Sequence, residues 1–286
     1  MKRIFALLLA VVMCVSIFTL ASCGKKEPIG VQVGTTGQYF VDGDEDWGFE
    51  GIKGYESKGY QNGGLAVNDL KNGVIDYVII DEQPAKQLQK SVEGIKVIDI
   101  ALTEEEYAFG VDKNQPKLRE DINNILKGFK TEVDGTCMLD IIVAKYATGV
   151  GITPIESAQF DASKADKQLV VATNAAFAPF EYKEGDKYAG IDMEIAYYIA
   201  AALDMELVIM DMEFDAVVTS VGKNGVDVAM AGLTVNETRK QSVDFTDSYY
   251  KASQMLVVRA DNNAFAACTK AEDVLAVLDS ELDKKD

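Results

Sequence analysis

The chain has 286 residues, with 28 Lys and Arg against 46 Asp and Glu for a formal net charge of −18, and it contains no histidine. An acidic surface of this size argues against nucleic acid and anionic lipid as partners. The missing histidine excludes Ser-His and Cys-His nucleophilic dyads and removes the commonest metal ligand and general base.

Lys2 and Arg3 precede an apolar run from Ile4 to Leu20, followed by Leu20-Ala21-Ser22-Cys23. A basic start, a short apolar stretch and small residues before the cut describe a secretory signal peptide over residues 1–22. The tetrapeptide resembles a bacterial lipobox, in which Cys23 is acylated and residues 23–28 form a tether. The run is short for a span, and no later stretch is long and apolar enough to cross a bilayer, so acyl chains are the expected anchor on the extracytoplasmic face of the cell membrane. Cys14 leaves with the signal; Cys137 and Cys268 are expected as free, partly buried thiols, although export permits a disulfide.

Ile29–Val33 predicts a strand ending at Gly34-Thr35-Thr36-Gly37, and a polar, glycine-rich stretch to Gly64 follows. Leu65–Asn72 reads as a helix stopped at Gly73, Asp76–Ile80 as a buried strand, Pro84–Leu88 as a helix start and Val97–Ile100 as a strand. Tyr107–Asp112 is strand-like. Pro116 opens a helix on which Leu118, Ile122, Ile125, Leu126 and Phe129 repeat at helical spacing, and Met138–Tyr146 gives another ending near Gly149. Residues 150–167 read as a linker. Beyond it come a strand at Leu169–Thr173, a helix with Asp192 as its N-cap and Ile195, Ile199 and Ala202 on one face, a strand at Leu207–Met210, a helix at Ala216–Val221, and strands at Val228–Ala231 and Ala252–Arg259. Thr269-Lys270-Ala271-Glu272 fits a capping box that starts a final helix with Val274, Leu275, Leu278 and Leu282 inward. Strands alternating with helices indicate an α/β fold with mainly parallel pairing.

Four stretches carry a resemblance: Gly34-Thr35-Thr36-Gly37, Ile75-Asp76-Tyr77-Val78-Ile79-Ile80-Asp81, Asn174-Ala175-Ala176-Phe177-Ala178-Pro179-Phe180-Glu181 and Thr234-Val235-Asn236-Glu237-Thr238-Arg239. Together they resemble the ligand-gripping elements of type II periplasmic solute-binding proteins of polar amino-acid ABC transporters (bacterial extracellular solute-binding protein family 3). In that family the late pair normally precedes the early pair. The resemblance therefore implies a two-lobed, Venus-flytrap fold of type II in circularly permuted order. Lobe 2 would comprise residues 29–106, and residues 107–149 a return hinge with terminal helices of lobe 1. Residues 150–167 would join the ancestral ends, 168–259 form the main part of lobe 1, and 260–286 a hinge and the first part of lobe 2.

The resemblance also implies a site for a free amino acid, whose carboxylate and ammonium must both be paired when buried. Arg239 would hold the carboxylate in a two-pronged grip, helped by Thr234, by Thr36 as the likelier contact of the pair Thr35 and Thr36, and by the backbone at Ala231 and Gly232. The stretch Asn236-Glu237-Thr238 departs from the family's usual Pro-Glu-like pair. Asp81 ends a buried strand at the edge where α/β folds place ligands and would take the ammonium; Asp76 reads as structural. Phe177 and Phe214 match rings that flank the ligand side chain, while Phe180 and Tyr182 read as packing. Receptors for cationic amino acids typically carry Asp where Asn174 stands, and glutamine-type receptors carry cationic or imidazole groups at the positions of Gln32 and Ile80. A neutral ligand, polar or moderately apolar, is therefore expected, although Glu181 would restore basic selectivity if it pointed inward.

Asp42-Gly43-Asp44-Glu45-Asp46 resembles the start of a calcium loop, but Trp47 and Lys53 stand where glycine and glutamate are required, so a solvated loop is expected. No cofactor or metal is expected. The expected partners are a free amino acid, the permease of an ABC importer, and the membrane through the lipid; the chain is expected to be a monomer, with a domain swap as the alternative. The expected activity is capture without chemistry, with a sensory receptor or a dehydratase-like enzyme on the same fold as rival readings.

Overall fold

The computed structural model describes residues 26–284; the expected signal segment and Cys23 lie outside the described residues. The chain first builds an alternating unit: β1 (Glu27–Gln32), α1 (Thr36–Asp42), β2 (Tyr55–Tyr60), α2 (Gly63–Lys71), β3 (Tyr77–Asp81), α3 (Glu82–Ser91) and β4 (Ile95–Ile98). All five residues of β3 are buried, as expected for a strand covered on both faces. β5 (Glu105–Tyr107) crosses out of this unit and leads into β6 (Gly110–Val111), α4 (Pro116–Phe129) and α5 (Met138–Thr148).

After residues 149–167 come β7 (Gln168–Thr173), β8 (Ala176–Phe177), β9 (Glu181–Glu184), β10 (Lys187–Ala189), α6 (Ile191–Ala202), β11 (Glu206–Asp211), α7 (Phe214–Ser220), β12 (Val228–Ala229), the single turn α8 (Glu237–Lys240) and β13 (Asp244–Phe245). β14 (Tyr250–Ala252) then crosses back beside β5, pairing Tyr250 with Tyr107 and Ala252 with Glu105. β15 (Gln254–Arg259) and α9 (Ala271–Asp283) complete the first unit.

Two five-stranded sheets result, in the orders β2-β1-β3-β15-β4 and β11-β7-β12-β6-β13, each mixed and each covered on both faces. We call them lobe 2 and lobe 1. In lobe 2, Tyr77, Ile79, Leu256 and Val258 face the core that holds Val274 and Leu278 of α9. Their neighbours Val78, Ile80, Met255 and Val257 face Ala66, Val67 and Leu70 of α2. That is the two-residue period of a strand, written twice into adjacent strands. Lobe 1 repeats it: Leu169, Val171, Leu207 and Ile209 pack toward Ile122, Leu126, Ile142, Ile195 and Ile199, and Val170, Ala172 and Val208 toward Phe214 and Val217.

The structure corrects several expectations. Gln254–Arg259, expected to close lobe 1, lies in the lobe 2 sheet between β3 and β4, antiparallel to both. Its apolar run is what any central strand needs, so composition could not say which sheet it joins. The crossing back is therefore β14, ahead of residue 254. Asp192 is not the cap of α6: Gly190 is, and Asp192 sits buried inside the first turn. The capping bonds at α9 come from Asp273, whose carboxylate accepts from the N–H and hydroxyl of Thr269 at 2.9 Å each, and not from Glu272. Residues 150–167 are a pinned strap: Ile155 and Tyr188 exchange backbone bonds of 2.7 and 2.9 Å, and the Ala158 N–H donates to Leu207 O at 2.8 Å. Cys137 and Cys268 are both free thiols, packed in different lobes.

Candidate functional site

The two crossings bring the carboxyl ends of β1 and β3 against the loops that follow β7 and β12. The lobes touch there through named bonds. Gln32 Nε2 donates to Asn174 Oδ1 at 3.0 Å, and Asn174 Nδ2 donates to Met212 O at 2.8 Å. The Asn174 oxygen thus bridges the lobes, while its amide nitrogen is held inside lobe 1.

Arg239 lies on α8, whose N-cap Asn236 accepts from the Arg239 N–H at 2.8 Å. Its Nη1 donates to Thr234 O at 2.8 Å and its Nη2 crosses the cleft to Gly34 O at 3.1 Å. The guanidinium stands between two rings, with Cζ 5.1 Å from the Trp47 centroid and 5.4 Å from that of Phe214. It is only 8% exposed and has no carboxylate partner among the described residues. Burial pulls its pKa down to about 10. A buried cation with three N–H groups beyond those two bonds has the chemistry to hold an anion.

The acidic side is equally unbalanced. Asp81, at the end of β3, accepts from the Tyr107 hydroxyl, and burial, then Glu105, pushes its carboxyl up to about 7. Asp192 accepts from the Gly232 N–H at 2.9 Å and the Tyr249 hydroxyl at 2.5 Å, and burial raises it to about 7. Glu181, on β9, is fully buried, and neither of its oxygens has a hydrogen-bond partner. Burial, then Asp192 and Asp81, holds it well above the usual carboxylate range. Glu181 pairs across β8–β9 with Phe177, the ring that lines the cavity between the lobes described below.

The structure brings Thr36 and Thr234 together, with hydroxyl oxygens 3.1 Å apart, but gives them another task. Both hydroxyls donate to Glu105 Oε2 at 2.6 Å, while Thr103 Oγ1 (2.6 Å) and Gln254 Nε2 (3.1 Å) donate to Oε1. A threonine has one hydroxyl proton, so neither hydroxyl can also donate to a ligand carboxylate. The hydroxyl donation implied for Thr234 gives way to a hinge contact, whereas the contact expected of Thr35 and Thr36 runs through their N–H groups and is not touched by these bonds. Thr35 likewise turns inward, its Oγ1 donating to Gln32 O at 2.8 Å. Ala231 is buried beside the α7 core.

Phe177 is buried and stacked on Phe180 at 5.9 Å. Gly232 has φ +54° and lies beneath it, where an added Cβ would stand 2.9 Å from Phe177 Cε1. A cavity of about 390 Å³ opens beside that ring, between Ala176 and Phe177 of lobe 1 and Gly63, Ile80 and Leu88 of lobe 2. Arg239 and Asp81 are not in its lining, since the lobes are already closed upon them. Of two larger recesses, that at Ser163–Lys167 is lined by none of the candidate residues, and that at the hinge is lined by Glu82, Glu105 and Thr234.

Sequence reasoning missed Glu105 and Trp47. Glu105 is one of three consecutive glutamates, of which only its neighbours' exposed type is expected, and nothing in the sequence marks which one turns inward. Asp42 and Asp44, from the acidic stretch, hold local structure: Asp42 accepts from the Ser57 N–H and hydroxyl, and Asp44 from the Trp47 N–H.

Residues 169–285 match the model of the bacterial extracellular solute-binding proteins, family 3. It is 36% identical over 122 residues to the arginine-binding extracellular protein ArtP of Bacillus subtilis, a match covering 43% of this chain and 48% of that protein. It is 31% identical over 98 residues to a probable histidine-binding protein of Neisseria gonorrhoeae, covering 34% and 37%. Among solved structures, the arginine-bound form of domain 1 from TmArgBP is 30% identical, with 43% of this chain and 99% of that chain covered and a TM-score of 0.30. The chain spans about half or less of the length of the curated relatives it matches.

Proposed function

We propose that the protein is an extracytoplasmic receptor that closes its two lobes over a free L-amino acid with a cationic side chain and delivers it to the permease of an ABC importer. The observation that carries this reading is a pair of buried ionisable groups left without partners at the lobe junction: Arg239 with no carboxylate, and Glu181, kept neutral by burial, with no hydrogen-bond partner. A zwitterion with a positive side chain supplies what each lacks. Its carboxylate answers Arg239, its ammonium answers Asp81 or Asp192, and its side chain answers Glu181. Leaving the Arg239 cation buried alone costs several kcal/mol, and so does ionising Glu181 without a cation beside it, so ligand and closure stabilise one another.

Glu181 replaces the expectation of a neutral ligand, which rested on Asn174. Asn174 is occupied in the interlobe bridge, so its neutrality says nothing about the side-chain pocket. The Bacillus subtilis relative's name as an arginine-binding protein agrees with this choice. A thermal-shift screen of the common amino acids tests it, because a ligand that binds only the folded form raises the melting temperature. Arginine and lysine are expected to raise it most; stabilisation by neutral amino acids alone would contradict the cationic assignment.

Circular permutation is the accompanying proposal. The early and late motifs stand in reverse of the family order, and the outer elements of the chain meet in space. Glu27 N–H donates to Gly54 O at 3.0 Å, and the side chain of Leu282 packs against the same Gly54. A chain opened in the 150–167 strap and joined between α9 and β1 would recover the ordinary order and should bind the same ligand; loss of binding in a folded, rejoined protein would count against permutation. Anchoring through an acylated Cys23 completes the reading, and metabolic labelling with a fatty acid, abolished in Cys23→Ala, tests it.

A further inference from the structure

Trp47 is the only tryptophan in the chain, and it sits on an excursion of lobe 2 between α1 and β2. That excursion is built. Asp44 and Phe49 exchange backbone bonds of 2.8 and 2.9 Å, and the Trp47 N–H donates to Asp44 Oδ1 at 3.2 Å. Gly43 and Gly51 close its neck, both with φ +82°; a Cβ on Gly43 would lie 2.8 Å from Glu50 O, and one on Gly51 2.9 Å from Asp42. The indole stacks on Tyr39 at 4.3 Å and 15°, which fixes its plane.

Its other neighbour is Arg239 of lobe 1, held between Trp47 from one side of the cleft and Phe214 from the other. The indole Nε1 is buried and has no acceptor. Two kinds of donor are therefore short of acceptors at one place, a guanidinium and an indole N–H, and one anionic oxygen pair would satisfy both. Stacking on an aromatic face leaves the guanidinium edge, where its N–H groups point, open to that anion.

We infer that Trp47 is a ligand-site residue that closes over Arg239 and donates its indole N–H to the carboxylate of the bound amino acid. The inference rests on the amino-acid reading and adds to it a side-chain contact from lobe 2. Trp47 thereby makes carboxylate recognition depend on closure, since donors from both lobes must meet on one group.

The test is a calorimetric titration of L-arginine and of L-glutamine into the wild type, Trp47→Phe and Trp47→Ala, with melting temperatures as the folding control. Trp47→Phe keeps a ring over Arg239 but no donor, and is expected to weaken binding about tenfold, the size of a hydrogen bond to a charged group. Trp47→Ala loses both and should weaken it further. In the wild type, tryptophan emission should change and saturate at the calorimetric midpoint, a readout available even if a variant fails to fold. Variants that fold and bind within twofold of the wild type, or flat emission across a saturating titration, would overturn the role of Trp47 and leave the receptor reading standing. A wild type that binds neither amino acid would overturn both.

Discussion

At the scale of single residues, the proposed function rests on groups that the folded chain leaves unsatisfied. Arg239 gains two backbone carbonyls and two aromatic faces but no counter-charge. Replacing it with alanine removes a desolvated cation as well as a ligand contact. Arg239→Ala should therefore lose amino-acid binding by at least about 100-fold, as for a buried charge-assisted pair, while the ligand-free melting temperature stays level or rises. A variant that melts normally and binds normally would remove Arg239 from the site. Glu181 makes the same trade from the acidic side. Glu181→Gln removes an ionisable group that burial keeps from charging, so the free protein should melt higher, by about 2–4 °C for each kcal/mol gained, and prefer arginine less. Calorimetry and melting on the same samples check both halves. The Thr-x-x-x-x-Arg spacing and the position of Asp81 after a buried strand were legible because each sits in a local pattern. Glu105 and Trp47 were not, because their contacts come from residues far away in the chain: Glu105 reaches Thr36 and Thr234, and Trp47 reaches Arg239.

At the scale of elements, the hinge is the pair β5 and β14, and its chemistry is the carboxylate of Glu105. Four donors from residues 36, 103, 234 and 254 converge on it, drawn from both lobes. Glu105→Gln keeps the shape but turns one oxygen into an NH₂ facing donors. The substitution should cost about 1–3 kcal/mol in urea unfolding; an unchanged midpoint would mean that the four bonds do not hold the hinge. Most elements could be read from apolar period alone, β3, β7, α4 and α9 among them, because both faces or one stripe of each must be buried. Sheet membership could not. Gln254–Arg259 is apolar on both faces, which suits either lobe, and only its pairing with β3 and β4 decides. The strap at 150–167 looked like linker because its bonds to β10 and β11 use backbone groups and leave no mark on composition.

At the scale of the molecule, one lobe is continuous in the chain and the other is assembled from its two ends, with two crossings between them. In the proposed receptor such a body would open and close about β5 and β14, and its acid cluster would tie closure to pH. Asp81 and Asp192 titrate near 7 in the folded protein against an ordinary value of 3.8, so the stability they lend is present below that value and lost as pH rises through about 7. The ligand-free protein should melt highest near pH 5 and lower at pH 8, and a saturating cationic amino acid should flatten that slope by pairing the acids. A melting temperature that rises from pH 5 to pH 8 without ligand would contradict the burial of these groups.

The central claim is that the unpartnered ionisable groups at the lobe junction are completed by one cationic amino acid. Isothermal titration of L-arginine into the wild type and Arg239→Ala, repeated in two buffers of different ionisation enthalpy, tests it most directly. We predict one-to-one binding by the wild type, none by the variant, and a buffer-dependent heat as Glu181 gives up its proton to meet the cation. Equal binding by both proteins, or no heat with arginine from the wild type, would contradict the account.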